Sequence, residues 1–229
     1  MRYYPVNLDI QNKNCLVIGG GSVAERKIKT LIKCGALVTA VAIKASDSIR
    51  ALADLNKIDL KIKEYEISDL KNMFLVIGAT NNNEVNSDIS EDAKKLKVIC
   101  NIADYPEKCD FILPSIVKRG DLVISISTSG KSPALAKKLR KELGKLFGEE
   151  YAKVLNLLGI IRKILLSHVH EPEAHKSVFE KLINLRLLEA IKTKDANAVK
   201  AIINEAMGDK YFNEASLCDE IMIKNILER

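Results

Sequence analysis

The sequence predicts an α/β protein in which a parallel sheet carries helices on both faces, followed by a linking or dimerisation segment and a small all-helical C-terminal domain. Three observations predict it. Short apolar runs alternate with helical-period segments from residue 15 to about residue 103, and such alternation means βαβ units and a parallel sheet. A glycine triplet, Gly19-Gly20-Gly21, separates the first apolar run from the first helical segment. From Glu149 onward the apolar residues recur only at helical spacing. The first two together describe a Rossmann-type domain.

The elements follow in order. Cys15-Leu16-Val17-Ile18 is a short buried strand. The next segment is a helix with Ala24, Ile28, Leu31 and Ile32 on one face, and Gly35 stands where a C-cap glycine belongs. Ala36 to Ile43 is nearly continuous in apolar residues, as a strand covered on both faces requires. Leu60-Lys61-Ile62-Lys63 alternates and reads as a more exposed strand. Phe74 to Ile77 is a buried strand ending at Gly78. Glu84 to Leu96 is a helix with Val85, Ile89, Ala93 and Leu96 in register, and Val98 to Ile102 is a further strand.

The pattern then changes. Phe111 to Val117 and Leu122 to Ile126 flank the turn Arg119-Gly120-Asp121 and predict a hairpin. A polar loop follows, and Pro133 opens a helix at its favoured first position. Leu135, Leu139, Leu143 and Leu146 line one face of that helix. Val154, Leu155, Leu158, Ile161 and Leu165 form one later stripe, and Val178, Leu182 and Leu185 another. Asp195 is placed to cap a helix over Ala196 to Ala206. The expected organisation is a Rossmann domain over 1-113, a dimerisation segment over 114-147 and a helical domain over 148-229.

The glycine run fits G-x-G-x-x-A in strand-turn-helix context. Gly19 permits the tight turn, Gly21 lets the backbone approach a pyrophosphate, and Ala24 allows close packing of helix on strand. The helix N-terminus, at Ser22 and Val23, offers its N–H groups to the phosphates. The acidic residue that usually follows the second strand is missing: the strand ends Ala42-Ile43-Lys44. Backbone around Ile43 and Lys44 then holds the adenosine ribose, and Lys44 also tolerates a 2′-phosphate, so these residues fit either nicotinamide dinucleotide. Thr80 and Asn81 end another strand beside the crevice. They fit ribose or nicotinamide contacts and fit a loop or N-cap role equally well.

Bulk properties exclude several classes. Hydrophobic residues at 47% and charged residues at 29% are those of a globular protein with a real core. No apolar run reaches the roughly 18 to 20 residues that span a bilayer, so no membrane association is expected. The first five residues lack a signal-peptide pattern, and a cytoplasmic location is expected. The net charge of +6 suits an anionic small molecule, and with 5% aromatic residues there is little material for base stacking, so nucleic acid is not expected. The five cysteines form no C-x-x-C pair and read as structural thiols. His168, His170 and His175 lie near Glu171 and Glu173, but Pro172 interrupts the stretch, which reads as a solvated helix end or loop and not a metal site.

At this point the residues resemble a known family. The run Cys15-Leu16-Val17-Ile18-Gly19-Gly20-Gly21-Ser22-Val23-Ala24-Glu25-Arg26-Lys27 is similar to the opening of the siroheme synthase N-terminal module. Ala79-Thr80-Asn81 with Val85-Asn86, Cys100-Asn101-Ile102-Ala103-Asp104, Phe111-Ile112-Leu113-Pro114-Ser115 and Ser127-Thr128-Ser129-Gly130-Lys131-Ser132-Pro133-Ala134-Leu135-Ala136 continue the match in order to about residue 145. The tail is only loosely similar.

The resemblance implies precorrin-2 dehydrogenase activity, with NAD as oxidant, in siroheme biosynthesis. In some members sirohydrochlorin ferrochelatase activity, with ferrous ion as a substrate, accompanies it. It implies a homodimer; the sequence departs from the fused members in carrying no methyltransferase domain, so the stand-alone form is expected. It implies that Asp104 is the catalytic residue and that backbone near Ser22-Val23 and Ile43-Lys44 holds NAD. Asp104 follows a strand, so it stands at the carboxyl edge of the sheet, where a carboxylate can act as a general base; Asp before Tyr105-Pro106 equally suits a plain turn. Precorrin-2 and sirohydrochlorin carry many carboxylates. Ser127, Thr128, Ser129, Gly130, Lys131 and Ser132, just before a helix N-terminus, are equipped to bind such anions, with Lys137, Lys138, Arg140 and Lys141 adding positive potential. The sequence leaves open whether chelatase activity is present. The contrasting reading is a dinucleotide-sensing regulatory domain without catalysis, which would need neither Asp104 nor the serine-rich loop.

Overall fold

A computed structural model of the chain describes residues 3–168, 172–208, 223 and 228. By contact density the chain divides into two compact units, Met1–Leu113 and Pro114–Arg229.

The first unit is a five-stranded parallel sheet in the order β3-β2-β1-β4-β5. Its strands are β1 (Asn14–Ile18), β2 (Leu37–Ala42), β3 (Asp59–Ile62), β4 (Leu75–Gly78) and β5 (Ile99–Ile102). The helices between them are α1 (Ser22–Lys33), α2 (Asp47–Asp54) and α3 (Asn83–Leu96). The reversal of strand order falls between β1 and β4, where open α/β sheets form their binding crevice. Side chains alternate across the sheet, as the period of a strand requires. Cys15, Val17, Val38 and Ala40 pack with Ala24, Ile28 and Ile49, on the face of α1 and α2. Leu16, Ile18, Val41 and Val76 pack with Ile89 and Ala93 of α3 on the other face. The sheet is therefore apolar on both sides, and β1 is buried along Cys15–Ile18.

Three details differ from the sequence reading. Helix α2 carries a weak signal, because Ile49 is its only deeply buried residue; Ser46 starts it by accepting from Ile49 N at 3.4 Å. The ends of β2 are not covered on both faces: Leu37 and the following Ile43 are exposed. The hairpin's first arm begins at Ser115 and not Phe111, because Asn101 Nδ2 takes the Phe111 carbonyl at 2.9 Å and Pro114 has no N–H to donate.

The second unit begins with the antiparallel pair β6 (Ser115–Arg119) and β7 (Leu122–Ile126), turned at Gly120 with φ +55°. Helix α4 (Pro133–Leu146) packs on it through Ala136. Of the leucine row of α4, Leu139 and Leu143 are half-buried, whereas Leu135 and Leu146 are exposed. Arg119 Nη2 donates to Gly144 O at 2.8 Å, tying the hairpin to the end of α4.

Helices α5 (Glu150–His168), α6 (Pro172–Asn184), α7 (Leu187–Lys192) and α8 (Ala196–Met207) then share one core that includes Leu157, Ile161, Leu165, Leu182 and Ile203. Asp195 caps α8, accepting from Ala198 N at 2.9 Å, as the sequence predicts. His168 ends α5 and Pro172 opens α6, while His170 and Glu171 of the histidine stretch lie outside the described residues. Among the described residues, no helix is long and apolar enough to cross a membrane.

Burial pushes the Cys15 thiol up to about 11 and the Cys100 thiol up to about 12, whereas Cys34 is exposed. Cys218 lies outside the described residues. A thiol whose folded pKa is raised favours the folded state while it stays protonated. That stability is present below the unfolded value near 9 and is lost as pH rises through the folded values of about 11 and 12. Thermal unfolding followed by circular dichroism from pH 8 to pH 11 is expected to show a falling midpoint. Iodoacetamide at pH 8 should modify Cys34 quickly and Cys15 and Cys100 only on unfolding, as peptide mass mapping would reveal.

Candidate functional site

Parallel strands end at one edge, so the residues after β1, β2, β4 and β5 gather at the carboxyl edge of the sheet. Gly19, Gly21, Ser22 and Val23 follow β1, Ile43 and Lys44 follow β2, Thr80 and Asn81 follow β4, and Asp104 follows β5. These are the residues the sequence singles out in the first unit, and the topology brings all of them to that edge.

The glycines divide the work at the turn. Gly19 has φ +129°, and a Cβ there would run into the Ala79 carbonyl. A Cβ on Gly20 would run into the Lys44 carbonyl. Hydrogen bonds draw the loops this close: Gly19 N donates to Val41 O at 2.9 Å, Ser46 N to Gly20 O at 2.9 Å, and Ala79 N to Ile18 O at 2.7 Å. Gly20, which the motif treats as a free position, is thus as constrained as Gly19. Gly21 is different, because a Cβ there would meet nothing within 4 Å. It is the N-cap of α1 and gives the helix no side-chain cap.

The N–H groups of Ser22, Val23 and Ala24 precede the first intrahelical bond, from Glu25 N to Gly21 O at 3.0 Å. Those N–H groups together with the open space over Gly21 make a cradle for a diphosphate. The residues present therefore fit a dinucleotide. Ile43, 72% exposed, stands beside this cradle at the end of β2, where its apolar face is available to a base.

After β4 the side chains are committed locally. Asn86, buried at 2% exposure, donates from Nδ2 to Thr80 O at 3.0 Å. The Thr80 hydroxyl lies 2.9 Å from Asn86 Oδ1 and 3.0 Å from Asn82 O, and accepts from Asn82 N at 3.2 Å. Asn82 caps α3 by accepting from Glu84 N and Val85 N. Thr80 therefore shapes the loop, and what this loop offers a ligand is its backbone and the exposed Asn81.

Asp104 is exposed and sits at φ +66°, in the left-handed region that Asp tolerates better than most residues. Lys27 of α1, half-buried, is charge-coupled to it. Burial and the neighbouring Arg26 lower the Lys27 ammonium below its usual value, and Asp104 and Cys109 oppose that change. Lys27 lies in the run that carries the family resemblance, and only the fold puts it near Asp104.

The serine-rich loop belongs to the second unit. Ser129 N donates to Ser127 Oγ at 3.1 Å and Ser132 N to Thr128 Oγ1 at 3.1 Å. Ser132 Oγ accepts from Leu135 N at 3.2 Å and caps α4. Ser129 and Gly130 both have positive φ, at +52° and +81°. The hydroxyls of Ser127, Thr128 and Ser132 are thus acceptors for the backbone, and their O–H bonds remain to donate outward. Lys131, Lys137, Lys138, Arg140 and Lys141 are all exposed beside or beyond this loop.

Comparison with known proteins bears on both units. A family model described as putative NAD(P)-binding matches residues 6–115, and one described as sirohaem biosynthesis protein central matches residues 119–146. A siroheme synthase from Ruthia magnifica subsp. Calyptogena magnifica is 35% identical over 201 residues, which is 88% of this chain and 43% of the relative. Siroheme synthase 2 from Pectobacterium atrosepticum is 32% identical over 203 residues, 88% of this chain and 44% of the relative. The chain thus spans less than half the length of these curated relatives. Among solved structures, SirC, a precorrin-2 dehydrogenase, superposes with a TM-score of 0.65 at 26% identity and covers 99% of both chains.

Two substitutions separate the glycine roles. Gly20→Ala is expected to destabilise the fold by about 1–3 kcal/mol, because backbone must move to admit the methyl group. Gly21→Ala should fold with an unchanged melting temperature and bind NAD about tenfold or more weakly by calorimetry, because its methyl group occupies the cradle. Normal NAD affinity in Gly21→Ala would place the diphosphate elsewhere.

Proposed function

The chain belongs to the siroheme synthase N-terminal module family, and from that premise we propose that it is an NAD-dependent precorrin-2 dehydrogenase that forms sirohydrochlorin. The observation that carries the proposal is the placement of Asp104 at the same sheet edge as the glycine cradle. NAD, when bound, supplies the acceptor for the hydride that the oxidation removes. The N–H groups of Ser22 and Val23 bind its diphosphate, and the backbone at Ile43 and Lys44 holds its adenosine half. Asp104 accepts the substrate's proton at a carboxylate oxygen, as a general base.

In the second unit, the hydroxyls of Ser127, Thr128 and Ser132, with Ser129, Gly130 and Lys131, recognise substrate carboxylates through charge-assisted hydrogen bonds. Chelation of ferrous ion by the same protein would require Asp104 to take protons from the pyrrole nitrogens as the metal substrate enters. We propose a homodimer as well. Ile116, Val123, Leu135 and Leu146 of the hairpin and α4 are all exposed, which is apolar surface that a second copy can cover. The unpaired thiols among the described residues suit a reducing, cytoplasmic setting.

Purified protein mixed with precorrin-2 and NAD should produce sirohydrochlorin, followed by absorbance. Folded protein that binds NAD and oxidises nothing would leave only the sensing reading. Asp104→Ala is expected to lower kcat by ~10²–10⁴-fold with NAD affinity unchanged; full activity in that variant would remove Asp104 from the mechanism. Ferrous or cobaltous ion added to sirohydrochlorin measures chelation by itself. Sedimentation equilibrium should report a dimer that Leu135→Glu weakens.

A further inference from the structure

The segment that carries Asp104 is wrapped around one sulfur atom. Cys109 Sγ accepts from Ile102 N at 3.1 Å, and Asn101 Nδ2 lies 3.5 Å from it. The same sulfur lies 3.2 Å from Ile102 O and 3.1 Å from Tyr105 O, the acceptors for its S–H. Ile102 and Tyr105 flank the two residues Ala103 and Asp104. The thiol therefore binds the chain on both sides of the left-handed residue, inside a turn that closes with Tyr105 N donating to Ile102 O at 3.3 Å.

The rest of the loop is anchored around this point. Asp110 accepts from Cys100 N at 2.9 Å through Oδ2, and its own N–H donates to Cys100 O at 2.9 Å. Asn101, buried at 7% exposure, holds Phe111 O. Ser90 Oγ of α3 donates to Lys108 O at 3.1 Å, and Lys108 Nζ lies 3.0 Å from Ser87 Oγ. These contacts fix the loop's far limb. Within the limb that bears Asp104, Cys109 is the side chain that bonds to it.

We propose that Cys109 is a positioning residue for Asp104, its sulfur holding residues 102–105 in the turn that presents the carboxylate at the sheet edge. The physical case rests on backbone cost. A non-glycine residue in the left-handed region carries strain of about 1–3 kcal/mol and persists only where its surroundings over-determine it. Here the surroundings are four hydrogen-bonding groups that meet at sulfur. Burial raises the Cys109 thiol above its ordinary value, so sulfur keeps the proton it donates. Lys27 is charge-coupled to both Cys109 and Asp104.

The inference rests on the reading of Asp104 as the base, and the experiment keeps the two apart. Cys109→Val fills the space of the sulfur without its hydrogen bonds, and Cys109→Ser keeps hydrogen bonds at a shorter reach. With precorrin-2 and NAD, Cys109→Val should lose about 10- to 100-fold in kcat, the scale of a misplaced catalytic group. Its KM for NAD should stay unchanged, since the glycine cradle is untouched. Cys109→Ser should recover most of kcat.

A merely structural thiol predicts the opposite pattern, with Cys109→Val near wild type and Cys109→Ser impaired along with its melting temperature. That result, or equal loss of kcat and NAD affinity in both variants, overturns the proposal. If Cys109→Val fails to fold, the kcat of Cys109→Ser decides, because a folded serine variant as poor as Asp104→Ala is incompatible with rescue. Full activity in Asp104→Ala would instead sink the base itself, whichever way Cys109 behaves.

Discussion

The closeness of three strand ends governs the first unit. Two carbonyls, those of Ala79 and Lys44, occupy the positions where side chains of Gly19 and Gly20 would begin. Hydrogen bonds between the loops after β1, β2 and β4 hold them there. Any side chain at either glycine would push the loops apart, and the helix that starts at Ser22 would lose its aim. The dinucleotide cradle is thus a by-product of backbone approach and requires no charged side chain of its own. Its attraction for phosphate comes from uncapped N–H groups at the start of α1.

That economy explains the missing acid after β2. In the usual arrangement a carboxylate there reads the ribose hydroxyls. Here the strand ends in Ile43 and Lys44, and the Lys44 carbonyl is already set against Gly20. The backbone bend at this point closes the turn, and in the proposed reading its polar groups are what the ribose would meet. A carboxylate would add specificity for the ribose without improving the cradle. On the opposite side of the switch point, Asp104 holds a left-handed conformation that Cys109 enforces, while Asn101 and Asp110 anchor the far limb of the same loop.

Much of this was legible in the sequence, for reasons that can be stated. Strands β1, β4 and β5 are short, mostly apolar and largely buried, and such segments have little choice of structure. The G-x-G-x-x-A spacing and Pro133 after Ser132 are local signals with local causes. Helix α2 was missed because only Ile49 is deeply buried, which leaves no periodic stripe to read. The importance of Gly20 was missed because its constraint comes from Lys44, a residue 24 positions away in the sequence. Thr80 shows the converse limit. Its hydroxyl fits a ligand contact or a loop role equally well by sequence, and only the fold shows a buried asparagine on the next helix taking it.

The leucine row of α4 makes the same point from the other direction. Amphipathic spacing says that a face will be covered, and it does not say by what. In this chain the buried residue of α4 is Ala136, and Leu139 and Leu143 of the row are half-buried. Leu135 and Leu146 are exposed, and Ile116 and Val123 on the hairpin are exposed with them. An isolated two-stranded sheet is marginal in water. Packing by α4 and by the helices beyond it supports one face of this hairpin; the exposed apolar residues on the hairpin and α4 are the surface a second copy would complete.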